Sequence, residues 1–229
     1  MSENKMKSPS KPIIAIDGPA ASGKGTLARN LAHNLEFAHL DSGAIYRLVG
    51  KTMLDKGTTA EDLPVILRIA ENIRNEFSLE KLNNQGLRND VVGTITSQIA
   101  AFPEVRSILL DLQRDFAKNP PSPFRGSILD GRDIGTVVCP DATLKLYIVA
   151  NPETRAKRRY KELQLADIAV TYEAVLDDMR ARDARDQGRK EAPLKAAEDA
   201  ILLDTSELSA EEVLDIAMNH VNRIVPKQI

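Results

Sequence analysis

The sequence predicts an α/β protein in which a five-stranded parallel sheet lies between helices in three layers. Five short apolar runs have the composition of buried strands, and an aspartate follows four of them. They lie at residues 12–16, 36–40, 127–129, 144–149 and 200–203. Stretches with helical spacing of apolar residues separate these runs. Strands that alternate with helices form a parallel sheet, and ligands bind at the carboxyl ends of its strands.

The helical stretches differ in composition along the chain. Leu27, Leu31 and Leu35 predict a helix over 26–35, and the apolar spacing after Pro103 predicts another. Residues 63–98 contain no buried-strand run, so we interpret them as a short inserted helical lobe. Residues 151–190 predict two charged helices that hold 10 of the 31 basic residues. We expect residues 1–11 to be a disordered tail and 12–229 to form a single domain.

Composition excludes several classes of protein. The chain has 229 residues, a formal charge of −2, 42% hydrophobic residues and 28% charged residues, so we expect a globular protein without a nucleic-acid partner. Cys139 is the single cysteine, and the three histidines are scattered, which predicts neither a disulfide nor a zinc site. No run reaches the about 18 apolar residues of a membrane span. We expect a cytoplasmic protein without a membrane partner, and we expect a monomer.

A glycine-rich segment directly after the first apolar run predicts a phosphate-binding loop. Residues 18–26 read GPAASGKGT and lead at once into the first helix, which is the context that such a loop requires. The glycines let backbone N–H groups turn toward phosphate oxygens, Lys24 supplies a charge for the outer phosphates, and Thr26 is the hydroxyl best placed near Mg²⁺. Gly25 stands where the strict pattern has Ser or Thr. The residues expected on ATP phosphates are Gly18, Ala21, Ser22, Gly23, Lys24, Gly25 and Thr26.

Asp130 follows the apolar run at 127–129 and is the candidate for a carboxylate that reaches Mg²⁺ through water. An aspartate in this position also commonly caps a turn. The phosphate loop upstream favours the role at the metal.

Arginines concentrate in the two charged helices. Arg182, Arg185, Asp186 and Arg189 fall at helical spacing on one face, and a second cluster contains Arg155, Arg158 and Arg159. Arginines that close over a triphosphate stabilise a phosphoryl-transfer transition state and exclude water. The alternative is a solvated face with local ion pairs. A phosphate loop with mobile arginines predicts a kinase for a small substrate.

Other classes of nucleotide-binding protein fit less well. The Asn-Lys-x-Asp motif of GTP-dependent switches is missing after the later strands, since the single Asn-Lys pair is Asn4-Lys5. An ATP-driven motor remains a minor alternative, because the sequence does not exclude an arginine that bridges subunits.

Five segments together resemble bacterial cytidylate kinase, within the nucleoside monophosphate kinases of the P-loop class. They read GPAASGKGT at 18–26, LDSGAIYR at 40–47, SQIAAFPEVR at 97–106, DGRDIGT at 130–136 and RDARDQGR at 182–189. The resemblance extends from about Ile13 to Leu214. The segment around KLNNQGLRNDVVG departs from the family, because many relatives carry a longer, strand-rich insertion there.

The resemblance implies a P-loop kinase fold that transfers a phosphoryl group from MgATP to CMP or dCMP. Residues 63–98 would be the acceptor-binding insert, and 151–190 would be a mobile, arginine-rich lid. Catalytic roles would fall to Lys24, Arg132, Asp130 and Arg182, with Thr26 and Asp130 near Mg²⁺ and Arg155 and Arg158 on ATP. The expected CMP-binding residues are Ser42, Tyr46, Arg47, Ser97, Arg106, Arg132, Asp133, Arg182, Asp186 and Arg189.

The chemistry of cytosine agrees with this assignment. A carboxylate accepts from the N4 amine, which suits Asp133, while Arg106 and Ser97 donate to N3 and O2. Two alternatives stay open from the sequence. One is another small P-loop kinase, with a UMP/CMP or shikimate-like acceptor, and the other is a non-catalytic ATP-binding regulatory module.

Overall fold

A computed structural model describes residues 11–224, apart from the side chains at 85, 88 and 90. Its sheet has five parallel strands in the order β2-β3-β1-β4-β5. The strands are β1 (Ile13–Asp17), β2 (Ala38–Asp41), β3 (Ser127–Gly131), β4 (Leu144–Val149) and β5 (Ile201–Asp204). This confirms the predicted fold class and all five strands, with boundaries that shift by at most two residues. The expected disordered tail, 1–11, lies outside the described residues except for Lys11.

Eight α-helices connect and cover the strands within the described part of the chain. They are α1 (Lys24–Leu35), α2 (Ser42–Asp55), α3 (Leu63–Asn75), α4 (Asp90–Ile99), α5 (Pro103–Lys118), α6 (Pro152–Leu165), α7 (Tyr172–Gln187) and α8 (Ala210–Ile224). Two 3₁₀ turns (Leu79–Asn83 and Gln85–Arg88) precede α4. One π-helical turn, Ile134–Val138, follows β3 and is called the π turn below. None of the described helices is long and apolar enough to cross a membrane.

The sheet buries both faces, which is why its strands read as continuous apolar runs. Successive strand side chains point to opposite faces. Ile14 and Ile16 of β1 therefore pack with α1 and α8, whereas Ala15 packs on the other side with α2, α3 and α5. Helices α6 and α7 form a third, much smaller apolar cluster around Ala156, Leu163, Val175 and Met179.

The segment 63–98 divides into two parts. Helix α3 packs against α5 and buries Ile66, Ile69 and Ile73 in the larger core. Helix α4 packs against α2, and residues 87–97 reach a cleft at the carboxyl ends of the strands. The sheet order places β1 between β3 and β4, so the loops after these strands meet at that cleft, as expected at the switch point of an open parallel sheet.

Candidate active site

A cleft of about 350 Å³ opens over the carboxyl ends of the strands. One wall is the loop at 18–26 with the start of α1, which we call the phosphate wall. The other wall comes from α2, α4, the segment after β3 and α7, which we call the acceptor wall. The arrangement brings together segments that are more than 160 residues apart in the sequence.

Backbone geometry builds the phosphate wall. Gly18 has φ of 152°, and a Cβ there would lie 2.1 Å from the carbonyl oxygen of Ile148, so no other residue fits. Gly23 adopts φ of 91° and stands at the N-cap of α1, where no side chain caps the helix. The first N–H groups of α1 are therefore available to an anion, and the positive end of the helix dipole favours one.

Lys24 lies at the centre of the phosphate wall. Its Nζ donates to the carbonyl oxygen of Pro19 at 3.1 Å. Burial, together with the positive charge of Arg132, lowers its pKa to about 7, although Asp130 and Asp41 act in the opposite direction. Burial away from water is the largest cause of this lowered pKa, and a bound polyphosphate beside Lys24 would favour its charged form.

Asp130 and Thr26 are the residues that could hold Mg²⁺. The carboxylate of Asp130 is buried, and its Oδ1 lies 2.7 Å from His39 Nε2. Its Oδ2 faces the start of α1, 3.7 Å from where a Cβ on Gly25 would stand. Thr26 is exposed at the same helix start, where its Oγ1 accepts from Arg29 at 3.3 Å. Oxygen ligands of this kind suit Mg²⁺, which usually keeps several waters and binds through one or two protein groups plus phosphates.

The acceptor wall is held by ion pairs between side chains. Arg47 donates to Asp41 Oδ2 at 2.6 Å. Asp186 of α7 accepts from Arg132 Nε at 2.9 Å and also pairs with Arg189. Burial alone would raise the pKa of Asp186, but Arg132 and Arg189 hold it below its ordinary value.

Arg182 lies next to this group, with a buried Nε that has no hydrogen-bond partner. Burial, followed by the charge of Arg132, lowers the pKa of Arg182 to about 10. Arg47 Nε is also buried without a partner. Because buried donors are normally paired, these two point to an anionic ligand in the cleft.

Arg106, Asp133 and Tyr46 line the far end of the acceptor wall. Arg106 and Asp133 form an ion pair there, and the Arg106 guanidinium lies over the Tyr46 ring, 6.0 Å from its centroid. Burial raises the pKa of Asp133, although Arg106 and Arg189 act against the rise. Ser97 Oγ and Thr96 Oγ1 are buried without hydrogen-bond partners. The sequence predicted Arg106, Asp133 and Ser97 here, but not the ion pair between the first two.

Most of the residues predicted for the site line this cleft. They are Ala21, Gly23, Lys24, Gly25, Thr26, Ser42, Tyr46, Arg47, Ser97, Arg106, Asp130, Arg132, Asp133, Arg182, Asp186 and Arg189. Gly18 and Ser22 belong to the loop but do not line the cleft. Ser42 donates its hydroxyl to the carbonyl oxygen of Asp130 at 2.8 Å and so fixes the start of α2 on β3. The ligand contacts predicted for all of these residues stay predictions.

Two arginines predicted on ATP lie behind the phosphate wall instead of lining the cleft. Arg155 is buried, donates to the carbonyl oxygens of Ala150 and Ala20, and pairs with Asp183 at 2.6 Å. Arg158 donates to the carbonyl oxygen of Thr205 at 2.6 Å and lies beside Gly23. Arg185 of α7 also lies outside this cleft and lines a smaller cavity between α4, α6 and α7. We infer that Arg155 supports the loop, and its contact with ATP stays a prediction.

The sequence interpretation missed several residues of the site. Asp41 caps α2 by accepting from the N–H of Ala44 at 3.0 Å, holds Arg47 and lies near Lys24. Asp41 directly follows an apolar run of the sequence, as Asp130 does, so the same signal identifies it. Thr96, Arg29 and Asp178 also line the cleft, and no pattern in the sequence distinguishes them from surface residues. Arg159, which belongs to the second predicted arginine cluster, lines the cleft as well.

Comparison with known proteins identifies the family of the chain. The sequence model of the cytidylate kinase family matches residues 14–223. The cytidylate kinase of Rhodospirillum rubrum is 50% identical over 207 residues, which cover 90% of this chain and 95% of the relative. The cytidylate kinase of Bartonella bacilliformis is 49% identical over 213 residues, which cover 93% and 95%.

A solved structure of a Janibacter sugar kinase has the same fold. It gives a TM-score of 0.50 at 14% identity and covers 94% of this chain and 96% of its own. At that identity the likeness concerns the fold alone. The family match covers most of the chain and includes every segment that lines the cleft, and on this basis the chain belongs to the cytidylate kinase family.

Proposed function

We propose that this protein transfers the γ-phosphoryl group of MgATP to CMP or dCMP and so forms CDP or dCDP. The observation that carries the proposal is the single cleft in which an uncapped helix start with Lys24 faces a wall of arginines that ends in the Arg106–Asp133 pair. The curated relatives named above are cytidylate kinases.

The donor would bind along the phosphate wall. The free N–H groups of the loop and of α1 offer hydrogen bonds to phosphate oxygens, and Lys24 supplies the positive charge between donor and acceptor. Thr26 and Asp130 would hold Mg²⁺, in part through water. When bound, the ion neutralises charge on the phosphates and aligns them for transfer.

The acceptor phosphate would lie among Arg47, Arg132 and Arg182. The unpaired Nε atoms of Arg47 and Arg182 support this position, because a phosphate oxygen would satisfy them. Arg132, which is already fixed by Asp186, would reach the same phosphate with a remaining N–H group. The family resemblance also implies that Arg182 and Asp186 lie near the ribose hydroxyls, with Arg189 near the acceptor.

The base would contact Arg106, Asp133 and Ser97 and pack against Tyr46. The carboxylate of Asp133 would accept from the cytosine N4 amine, while Arg106 and the Ser97 hydroxyl would donate to N3 and O2. Uracil has a carbonyl at position 4, which would face the carboxylate. Such a mismatch leaves buried groups unpaired and costs about 1–3 kcal/mol, or one to two orders of magnitude in selectivity.

The protein needs no covalent intermediate for this transfer. The acceptor phosphate is already an anion, so the work of the protein is to align the two phosphates, neutralise their charge and exclude water. Helices α6 and α7 share a small apolar cluster of their own, and closure of this lid over the cleft would complete the exclusion of water. We place the reaction in pyrimidine nucleotide metabolism, with a monomer in the cytoplasm.

ADP release from MgATP by the purified protein tests the proposal. CMP, dCMP, UMP, AMP, GMP and shikimate are offered separately as acceptors. We expect fast release with CMP or dCMP and at least tenfold slower release with UMP at limiting acceptor. Equal release with UMP would show that the pocket reads pyrimidine shape only. Fast release with AMP, GMP or shikimate would contradict the proposed acceptor. ADP release that needs no acceptor would show that the protein binds and hydrolyses the nucleotide without transferring the phosphoryl group.

A further inference from the structure

Asp17 is a buried carboxylate that the proposed reaction does not use directly. It ends β1, just before the phosphate loop, and is 4% exposed. Its Oδ1 accepts from the N–H of Ile134 at 2.8 Å, and its Oδ2 accepts from the N–H of Gly135 at 2.7 Å. Asp17 does not line the cleft. Both of its bonds go to the first two residues of the π turn.

The start of a helical turn needs such acceptors, because its first N–H groups have no partner within the turn. The residue before the turn usually provides one from its own side chain, and aspartate does so well. Here that residue is Asp133, and its side chain makes no capping bond. The Asp133 carboxylate instead pairs with Arg106 inside the cleft. Asp17 therefore caps the turn in place of Asp133.

The other end of the π turn is held independently. Arg114 donates to the carbonyl oxygens of Val137 at 2.9 Å and Val138 at 3.2 Å. The turn would therefore persist without Asp17, but its first N–H groups would lack an acceptor. The nearest carboxylate on the same segment is that of Asp133, which could then rotate back to cap its own turn and leave Arg106.

We infer that Asp17 is a positioning residue for acceptor recognition: by capping the π turn it keeps the Asp133 carboxylate directed into the base pocket. The inference rests on the proposed function, since it assigns the base-reading role to Asp133. It links the strand that carries the phosphate loop to the segment that reads the acceptor, through two hydrogen bonds to backbone.

Steady-state kinetics of Asp17→Ala tests the inference. We expect the ratio of kcat/KM for CMP to that for UMP to fall about tenfold, with the KM for ATP unchanged, because only the base-reading carboxylate is displaced. In an Asp133→Ala background the same change at Asp17 should leave the ratio unaltered, since there is no carboxylate left to displace. Ser127→Ala is the matched control. It removes a buried hydrogen bond to the carbonyl oxygen of Ala117 at the opposite end of β3, and it should not change the ratio.

Equal losses for CMP and UMP, or the same change of ratio in both backgrounds, would overturn the inference and leave Asp17 with a structural role only. If Asp17→Ala does not fold, Asp17→Asn serves in its place, because it retains one acceptor oxygen in the same volume. A smaller fall of the ratio is expected for it, and an unchanged ratio would overturn the inference.

Amide hydrogen exchange gives a second readout that does not depend on the acceptor. We expect protection of the N–H groups of Ile134 and Gly135 to fall further in Asp17→Ala/Asp133→Ala than in Asp17→Ala, because Asp133 recaps the turn only in the single variant. Equal protection in the two variants would overturn the inference. A wild type without preference for CMP over UMP would contradict the base-reading role proposed for Asp133, and the exchange measurement would still test whether Asp17 caps the turn.

Discussion

The two walls of the cleft are built by different means. In the phosphate wall the backbone determines the geometry, through the positive φ angles of Gly18, Ala21 and Gly23 and the uncapped start of α1. In the acceptor wall side chains determine it, through the Arg47–Asp41 and Arg106–Asp133 pairs and the bridge from Asp186 to two arginines. The first wall offers backbone donors that need no side-chain partner, whereas most charges of the second wall are paired with one another. Among the described charged groups of that wall, only the Nε atoms of Arg47 and Arg182 are buried without a partner.

This difference separates affinity for phosphate from selectivity for the base. A backbone cradle with a helix dipole binds phosphate without reading the rest of the ligand. A paired arginine and carboxylate accept a new ligand only if that ligand replaces or shares their hydrogen bonds, and a wrong base leaves one of them unpaired. Changes in the phosphate wall should therefore affect every acceptor alike, whereas changes in the acceptor wall should discriminate between acceptors.

Lys24→Met removes the charge of the phosphate wall and should have the largest effect. We expect kcat with MgATP and CMP to fall by about three orders of magnitude, because Lys24 stabilises charge on the transferring group. The melting temperature should not fall, since burial already disfavours the charged form of Lys24. Lys51→Met is the control, because Lys51 pairs with Asp55 on the surface of α2 away from the cleft. A Lys24→Met variant with the wild-type rate would contradict the phosphate-loop assignment.

Arg155→Met tests the support behind the phosphate wall. The substitution leaves the largely buried Asp183 without its cation and removes a bond to the carbonyl oxygen of Ala20. Loss of one partner of a buried pair should lower the free energy of unfolding by about 3 kcal/mol, and the KM for ATP should rise with it. Denaturant titration and initial-rate kinetics measure the two effects. Arg180→Met, on the exposed side of α7, removes only surface pairs and should change neither. An unchanged stability would show that Arg155 does not support the loop.

Arg106→Met breaks the acceptor wall at the base. We expect the KM for CMP to rise about tenfold and the preference for CMP over UMP to fall, while the KM for ATP stays the same. Initial rates with each nucleotide varied separately measure these quantities. A rise in the KM for ATP of the same size would mean that the two walls are not independent.

The same contrast explains what the sequence could predict. Buried parallel strands and a glycine loop between strand and helix are local patterns, and for this reason the five strands and the phosphate loop could be found from residue types alone. Two ion pairs of the acceptor wall join residues that are far apart in the sequence: Arg106 and Asp133 are 27 positions apart, and Arg132 and Asp186 are 54 positions apart. No local pattern shows that such charges meet.

Arg155 illustrates the limit of interpretation by charge. A basic cluster on a predicted helix favours phosphate contacts, but burial decides which of its members remain available to a ligand. In the structure Arg155 is 5% exposed and all of its described bonds go to the protein, whereas Arg182, on the next helix, keeps an unpaired Nε at the cleft. Only the packing of α6 against α7 distinguishes the two.

Asp17 joins the two walls, and the pH dependence that its titration gives to the stability of the protein should be the smallest of the predicted effects. Burial raises the pKa of Asp17 to about 7, although the hydrogen bonds from Gly135 and Ile134 act to lower it. The charge of Asp133 adds to the rise, and that of Arg132 opposes it. Tyr147 of β4 also faces this carboxyl group. Because the folded state keeps this proton to a higher pH than the unfolded state does, the associated stability is fully present below about pH 4 and is lost as the pH rises through 7.

Asp17→Asn removes this titration without changing the side-chain volume. Between pH 6 and 8 we expect the free energy of unfolding of the wild type to fall by about 1 kcal/mol relative to that of Asp17→Asn. Denaturant titrations of both proteins across this range measure the difference. Lys24, whose pKa burial lowers to about 7, contributes with the opposite sign in both proteins, so it cancels in the comparison. If the difference in free energy of unfolding between the two proteins does not change with pH, Asp17 is ionised throughout this range. The charged carboxylate would then cap the π turn at every pH tested.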